Sequence, residues 1–289
     1  MTTAVPVQLP AWRSRSRAEL RLWWARWWPW VPLAAVALFA IIGPLLVPFD
    51  PEKVVAKPSI PPGATHLMGT DSVGLDVFSR TVSATRLNLA IGLSVALLAS
   101  IAGAVTGVLI GMGEERGGLI GRGARAMART IELSSALPPM LVALAVVAIT
   151  GPSVTTLTVV IAASLTPNLT RLTRTEVLKV RRDAYLDAAR QAGLREFRVM
   201  VRHVFPNSTW PVVETFSITF GSAIMMTAGL GFLGVGVPSP TPEWGAMISR
   251  GVADLTFGRW WASGFPALAM AFTVVLVALP TTRRNSASG

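Results

Sequence analysis

The 289-residue chain contains no cysteine, one tyrosine, two histidines and three lysines. Without cysteine, a disulfide framework and a thiolate metal site are both excluded, and the redox compartment leaves no mark. Charge is also scarce: only 14% of residues are Asp, Glu, Lys or Arg, against about 25% in soluble globular chains. The lysine shortage bears on nucleotide chemistry. A phosphate-binding loop needs Gly-x4-Gly-Lys-Ser/Thr, and none of Lys53, Lys57 and Lys179 follows a glycine. The glycine-rich stretch GMGEERGGLIGRG (111–123) shares only the composition of such a loop and reads as a cytoplasmic turn. His66 and His203 form no HExxH pair, and no nucleophile-elbow pattern is present. Carboxylates within apolar stretches, the mark of proton-coupled carriers, are sparse, with Glu132 and Glu214 near the ends of two of them. No energy source or catalytic centre is evident in the chain itself.

What the chain does have is long apolar runs, 52% hydrophobic residues and a net charge of +11. A bilayer core needs about 20 mostly apolar residues per spanning helix. Six stretches fit: residues 30–48, 87–112, 131–150, 154–170, 211–237 and 262–280. With an even number of crossings both termini share a side, and basic residues mark the cytoplasm. If the N-terminus is inside, five Arg precede the first span, four lie between spans two and three, nine Lys or Arg lie between spans four and five, and two follow the last. Lys53, Lys57, Arg80, Arg86, Arg250 and Arg259 remain outside. The expected fold is therefore an all-α polytopic membrane protein with six transmembrane helices and cytoplasmic N- and C-termini. Spread among span flanks, the positive charge argues against a nucleic-acid partner.

The expected organisation follows from these spans. Residues 1–29 form a basic, Trp-rich interfacial segment, carrying Arg beside Trp and Leu as a helix in the headgroup layer does. No small-x-small cleavage pattern follows, so a removed signal peptide is not expected. Residues 30–48 are the first transmembrane helix and 49–86 an extracytoplasmic loop, Pro-rich at its start. Residues 87–280 make the main membrane domain, and 281–289 a disordered cytoplasmic tail. Gly103, Gly107 and Gly111 fall four apart in the second span, where small residues let another helix come close. Pro138-Pro139 is expected to kink the third.

The exception to this apolar pattern is the cytoplasmic stretch YLDAARQAGLREFRVMVRHVFP (185–206). Ala184, Ala188, Ala189 and Ala192 share one small-residue helical face, and Gly193 is placed to stop that helix in a left-handed conformation. A second helix is expected with Leu194, Phe197, Met200, Val201 and Val204 on one stripe and Arg195, Arg198 and Arg202 on another, ended by Pro206. A solvated connector would explain the stripe and the arginines but not the smooth Ala/Gly corner.

DAARQAGLREFRVMVRHVFPN resembles the cytoplasmic "EAA" loop of ABC-importer membrane subunits, with Asp187 where Glu is usual. HLMGTDSVGLDVFSRTVSATRLNLAIGL (66–93) and GLGFLGVGVPSPTPEWGAM (229–247) are similar to blocks flanking spans two and five in the dipeptide/oligopeptide/nickel permease group. Leu75 and Ala84 depart from that group's Arg and Gly, and the chain ends without its NLLGDGLRD sequence. The resemblance implies a type I importer fold in the plasma membrane, with the loop between helices 4 and 5 acting as a coupling helix. Asp187, Ala188, Ala189 and Gly193 match the motif core, and Arg190 lies within it. It also implies four kinds of partner: a second homologous permease subunit, one or two ABC ATPase subunits, an extracytoplasmic substrate-binding protein, and membrane lipid. ATP and Mg would be bound by the ATPases, so this chain itself needs no cofactor and is not an enzyme. Peptides are the expected cargo; nickel, haem or another small solute are alternatives. A secondary carrier without an ATPase would need intramembrane ionisable residues or repeat symmetry, and neither is evident.

Overall fold

The computed structural model describes residues 31–114, 116–183, 191 and 193–285. Among these the regular elements are all helical: α1 (Val31–Ile42), α2 (Val77–Gly113), α3 (Gly118–Ser134), α4 (Pro139–Thr150) and α5 (Val154–Val180). They are followed by a short α6 (Glu196–Val199), α7 (Phe205–Ser208), α8 (Trp210–Phe232), α9 (Trp244–Leu255) and α10 (Trp261–Asn285).

α2 is the central element. It has no proline, and its start is set by Asp76, whose carboxylate accepts the backbone N–H of Ser79 at 2.8 Å. Its 37 residues give a rod of about 55 Å at the usual helical rise. It packs along α5 more extensively than any other helix pair does, and also meets α8. Helix α2 begins ten residues before the expected start of the second span, so Arg80 and Arg86 lie on a helix and not in a loop. The capping sequence DVFS, ahead of the apolar run, accounts for the extension.

The third expected span is divided. α3 and α4 meet at 91°, and Pro138, with ψ 121°, stands at the bend as the residue before α4. Neither Pro138 nor Pro139 donates a backbone hydrogen bond, and a residue preceding proline avoids helical backbone angles. Pro139 is then well placed as the first helical residue of α4. The fourth span continues past Thr170 to Val180 with Pro167 inside it. Thr166 and Thr170 back-bond to the carbonyls of Ala162 and Thr166 around that proline.

Among the described residues, three helices are long and apolar enough to cross a membrane: Val77–Gly113, Trp210–Phe232 and Trp261–Ala278. The bent α3/α4 pair makes a fourth if counted as one span. Two main clusters of buried side chains hold the bundle. One gathers Ile91, Val95, Ala143, Leu157, Ile161 and Leu230 from α2, α4, α5 and α8. The other joins Val36, Ala84, Phe220, Ile224, Trp244 and Val277 from α1, α2, α8, α9 and α10. Leu93, Leu97, Ile101 and Val105 of α2 face outward, where acyl chains cover such residues in a bilayer.

The α2–α5 packing has no room for side chains on the glycine face. A Cβ on Gly107 would stand 2.5 Å from Thr173 Cβ and 2.7 Å from the Thr170 carbonyl. A Cβ on Gly123 would meet nothing within 4 Å. Gly107→Val should lose about 1–3 kcal/mol to overpacking, read as a lower melting temperature in detergent. Gly123→Ala should match the wild type.

Candidate functional site

Of the segment expected to couple to a partner, residues 194–204 lie at one end of this bundle. Asp187, Ala188, Ala189 and Arg190 lie outside the described residues. Gly193 has φ +80°, and a Cβ there would meet no atom within 4 Å. Substitution is therefore opposed by the backbone conformation and not by crowding, since side chains rarely tolerate that region. After Gly193 come α6, then a π-helical turn (Met200–Val204), then α7.

That turn changes the register. The Phe205 N–H reaches back five residues to the Met200 carbonyl, so each residue after it is rotated from its α-helical position. The buried residues are Val199 and Val204, packed on Val108 and Met112 of α2 and Val177 of α5, with Leu194 and Met200 partly covered. Phe197 and Val201, expected on the same stripe, are exposed. Pro206 does not end the helix; it sits in the first turn of α7, where its missing N–H is tolerated.

The surface beneath this segment is the glycine seam. Cβ atoms on Gly103 and Gly111 would lie 2.5 Å from Leu169 Cβ and 2.6 Å from Val177 Cγ1. Between them, Thr106 Oγ1 and Thr170 Oγ1 are 2.8 Å apart. Just past α5, Arg181 donates to the Gly111 carbonyl at 2.6 Å.

At the other end of α2, residues 49–76 are tightly pinned despite their prolines. His66 Nδ1 lies 2.8 Å from Asp76 Oδ1, both side chains are buried, and Phe49 stacks on the imidazole at 4.9 Å. Arg80 Nη1 donates to the backbone carbonyls of Pro51 (2.7 Å) and Pro240 (3.1 Å), tying two loops to α2. Trp261 Nε1 donates to the Thr70 carbonyl, and Arg259 donates to Ser59 Oγ.

Sequence reasoning singled out residues 229–247 as a block but missed the role of Glu243. It is fully buried, lies against Gly231 at the end of α8, and caps α9 by accepting the N–H groups of Gly245 (2.7 Å) and Ala246 (2.8 Å). Trp244 beside it is also fully buried and donates to the Thr81 carbonyl at 3.0 Å. An acidic residue between Pro242 and Trp244-Gly245 was the available signal, since a carboxylate just ahead of an apolar run is a capping position. Among the described residues, no cluster of three or more His, Asp or Glu side chains could hold a metal ion.

Residues 103–283 match the family described as "Binding-protein-dependent transport system inner membrane component". The chain belongs to this family. It is a multi-pass membrane protein, and its relatives are transport permeases. One is a di/tripeptide transport system permease protein of Pseudomonas aeruginosa, 35% identical over 84% of this chain and 80% of that protein. Another is a putative peptide transport system permease protein of Brucella suis, 31% identical over 95% and 88%. A third is a glutathione transport system permease protein of Pectobacterium atrosepticum, 32% identical over 94% and 91%. The fold is similar to a chain of the inward-facing MetNI methionine ABC transporter, with a TM-score of 0.55 and 15% identity, covering 73% of this chain and 96% of that one. At that identity the likeness concerns the fold alone.

Burial pushes the Glu243 carboxyl up from 4.5 to about 7, against the opposing pull of its two backbone N–H donors and Arg250. The folded protein thus holds this proton more tightly than the unfolded chain. The associated stability is complete below pH 4.5 and lost as pH rises through about 7. The melting temperature should fall between about pH 5 and about pH 8 by the equivalent of roughly 3 kcal/mol. Glu243→Gln should remove that dependence in thermal melts across the range.

Proposed function

We propose that this chain is one of two membrane subunits of an ATP-driven importer and forms half of a pathway for di- or oligopeptides. The observation that carries the reading is its family membership together with relatives named as peptide and di/tripeptide permeases. Peptide would arrive from an extracytoplasmic binding protein at the face built by residues 49–76 and 236–250. ATP and Mg would be held by partner ATPase subunits seated on residues 183–204.

The proposed topology has six crossings with both termini in the cytoplasm, supported by the distribution of Lys and Arg. α1, α2, α4, α5, α8 and α10 would make them. α1 and α4, with 12 residues each, are shorter than the approximately 20 needed, so flanking residues would complete those two spans. In this orientation Val199 and Val204, seated on α2 and α5, attach the coupling segment to the bundle. A stiff attachment is what transmission of ATPase closure requires.

Gly193→Val forces a β-branched residue into a left-handed conformation. Ala188→Trp places bulk on the expected docking surface. Both variants should insert normally in the membrane while ATP-driven uptake of a labelled dipeptide falls at least about tenfold. Normal uptake by both would defeat the coupling assignment. Purification of the chain should also bring down stoichiometric ATPase subunits.

A further inference from the structure

The glycine seam joins α2 to α5 along much of their shared length, but α3 touches α5 sparingly. One side chain spans the gap. Arg174, on α5, directs Nη2 to Glu114 just past the end of α2 and Nη1 to Glu132 in the last turn of α3, each at 3.0 Å. The Glu132 arm is the one ion pair between α3 and α5 among the described residues.

The two arms differ in what backs them up. Glu114 follows an α2 terminus already fixed to α5 by the seam and by the Arg181 bond to the Gly111 carbonyl. Its own backbone carbonyl also accepts from Arg125 at 2.6 Å. Glu132 has no such support and stands three residues before Ser135, where the chain leaves α3 for the 91° turn into α4. A guanidinium is planar, so its two donor ends keep a fixed relation and set the angle between the carboxylates they hold; an ammonium does not. The side chains of Arg174 and Glu132 are 28% and 53% exposed. At such exposure an ion pair adds little folding stability, so its effect here is on geometry.

We infer that Arg174 is a positioning residue for transport: through Glu132 it makes α3 and its bend into α4 follow α5, so that motion entering at residues 183–204 carries both arms of the bent pair, α4 being packed on α5 directly. This rests on the importer reading above and adds the tie that keeps α3 in step with α4 and α5. α4 in turn meets α8, with Met140 Cε 2.7 Å from where a Cβ on Gly229 would stand, so the moved element reaches the next helix of the bundle.

The test uses the complete importer with its partner subunits, reconstituted in lipid vesicles, and compares wild type with Glu132→Gln. Dipeptide taken up per ATP hydrolysed should fall about three- to tenfold in the variant. Its melting temperature should stay within about 2 °C of wild type, because the pair is exposed. Since the chain has no cysteine, spin labels at Ala126→Cys and Thr175→Cys report the α3–α5 distance. That distance should be narrow and unchanged by ATP in the wild-type background, and broad when Glu132→Gln is added. A narrow distance in the variant overturns the inference whatever uptake does, and a broad distance with normal uptake per ATP overturns its role in transport. A wild-type complex with no ATP-driven dipeptide uptake fails the importer reading instead, while the distance still reports on the joint.

Discussion

The structure depends on backbone approach between α2 and α5. In lipid the hydrophobic effect does not draw two apolar helices together, so close packing has to do so. Gly103, Gly107 and Gly111 give α2 a face with no side chains, and Leu169, Thr173 and Val177 of α5 enter it. The remaining helices are arranged around that pair. α8 and α4 close one side through the cluster at Val95 and Ile161, while α1, α9 and α10 close another around Trp244. Residues 194–204 rest on the pair's end through Val199 and Val204.

The two ends of this pair are finished by different chemistry. At the end of α2 that carries residues 49–76, buried polar groups do the work: Asp76 caps α2 and meets His66, Arg80 donates to carbonyls of two separate loops, and Glu243 caps α9. Each is costly to bury, and each is matched by hydrogen bonds in the folded chain. At the other end the polar contacts are half-exposed ion pairs and arginine-to-carbonyl bonds. Buried networks over-determine one arrangement, whereas the planar guanidinium at the bend fixes an angle while adding little folding stability. The fold is thus held by buried polar networks around its loops, and by seated valines with partly exposed ion pairs where residues 194–204 meet α2 and α5.

Much of this was legible in the sequence, for identifiable reasons. Apolar run length gave the helical class, and a four-residue glycine period pointed to a packing face. What escaped depended on information that periodicity does not carry. The break at Pro138-Pro139 was read as a kink, but two prolines in succession remove consecutive donors and produced a right-angled turn. The stripe expected over residues 194–204 assumed 3.6 residues per turn, but the segment contains one π-helical turn, and its buried residues are Val199 and Val204, five apart, with Phe197 and Val201 exposed. Partners far apart in sequence, such as Arg80 with Pro240 or Arg174 with Glu132, leave no local pattern at all. Of the expected coupling residues, Gly193 is the one the described structure includes, and its positive φ accords with its expected place at a helix stop.

The unbroken length of α2 has a consequence for how the protein meets its surroundings. A proline-free rod of 37 residues, about 55 Å long, exceeds the hydrocarbon thickness of about 30 Å by a wide margin. Such a rod answers a thinner or thicker bilayer by changing its inclination, not by buckling. Because residues 49–76 at one end and residues 194–204 at the other are both fastened to it, a change of inclination displaces both ends in opposite directions. Lipid composition thereby becomes a mechanical input to the molecule, felt at both aqueous faces through one helix.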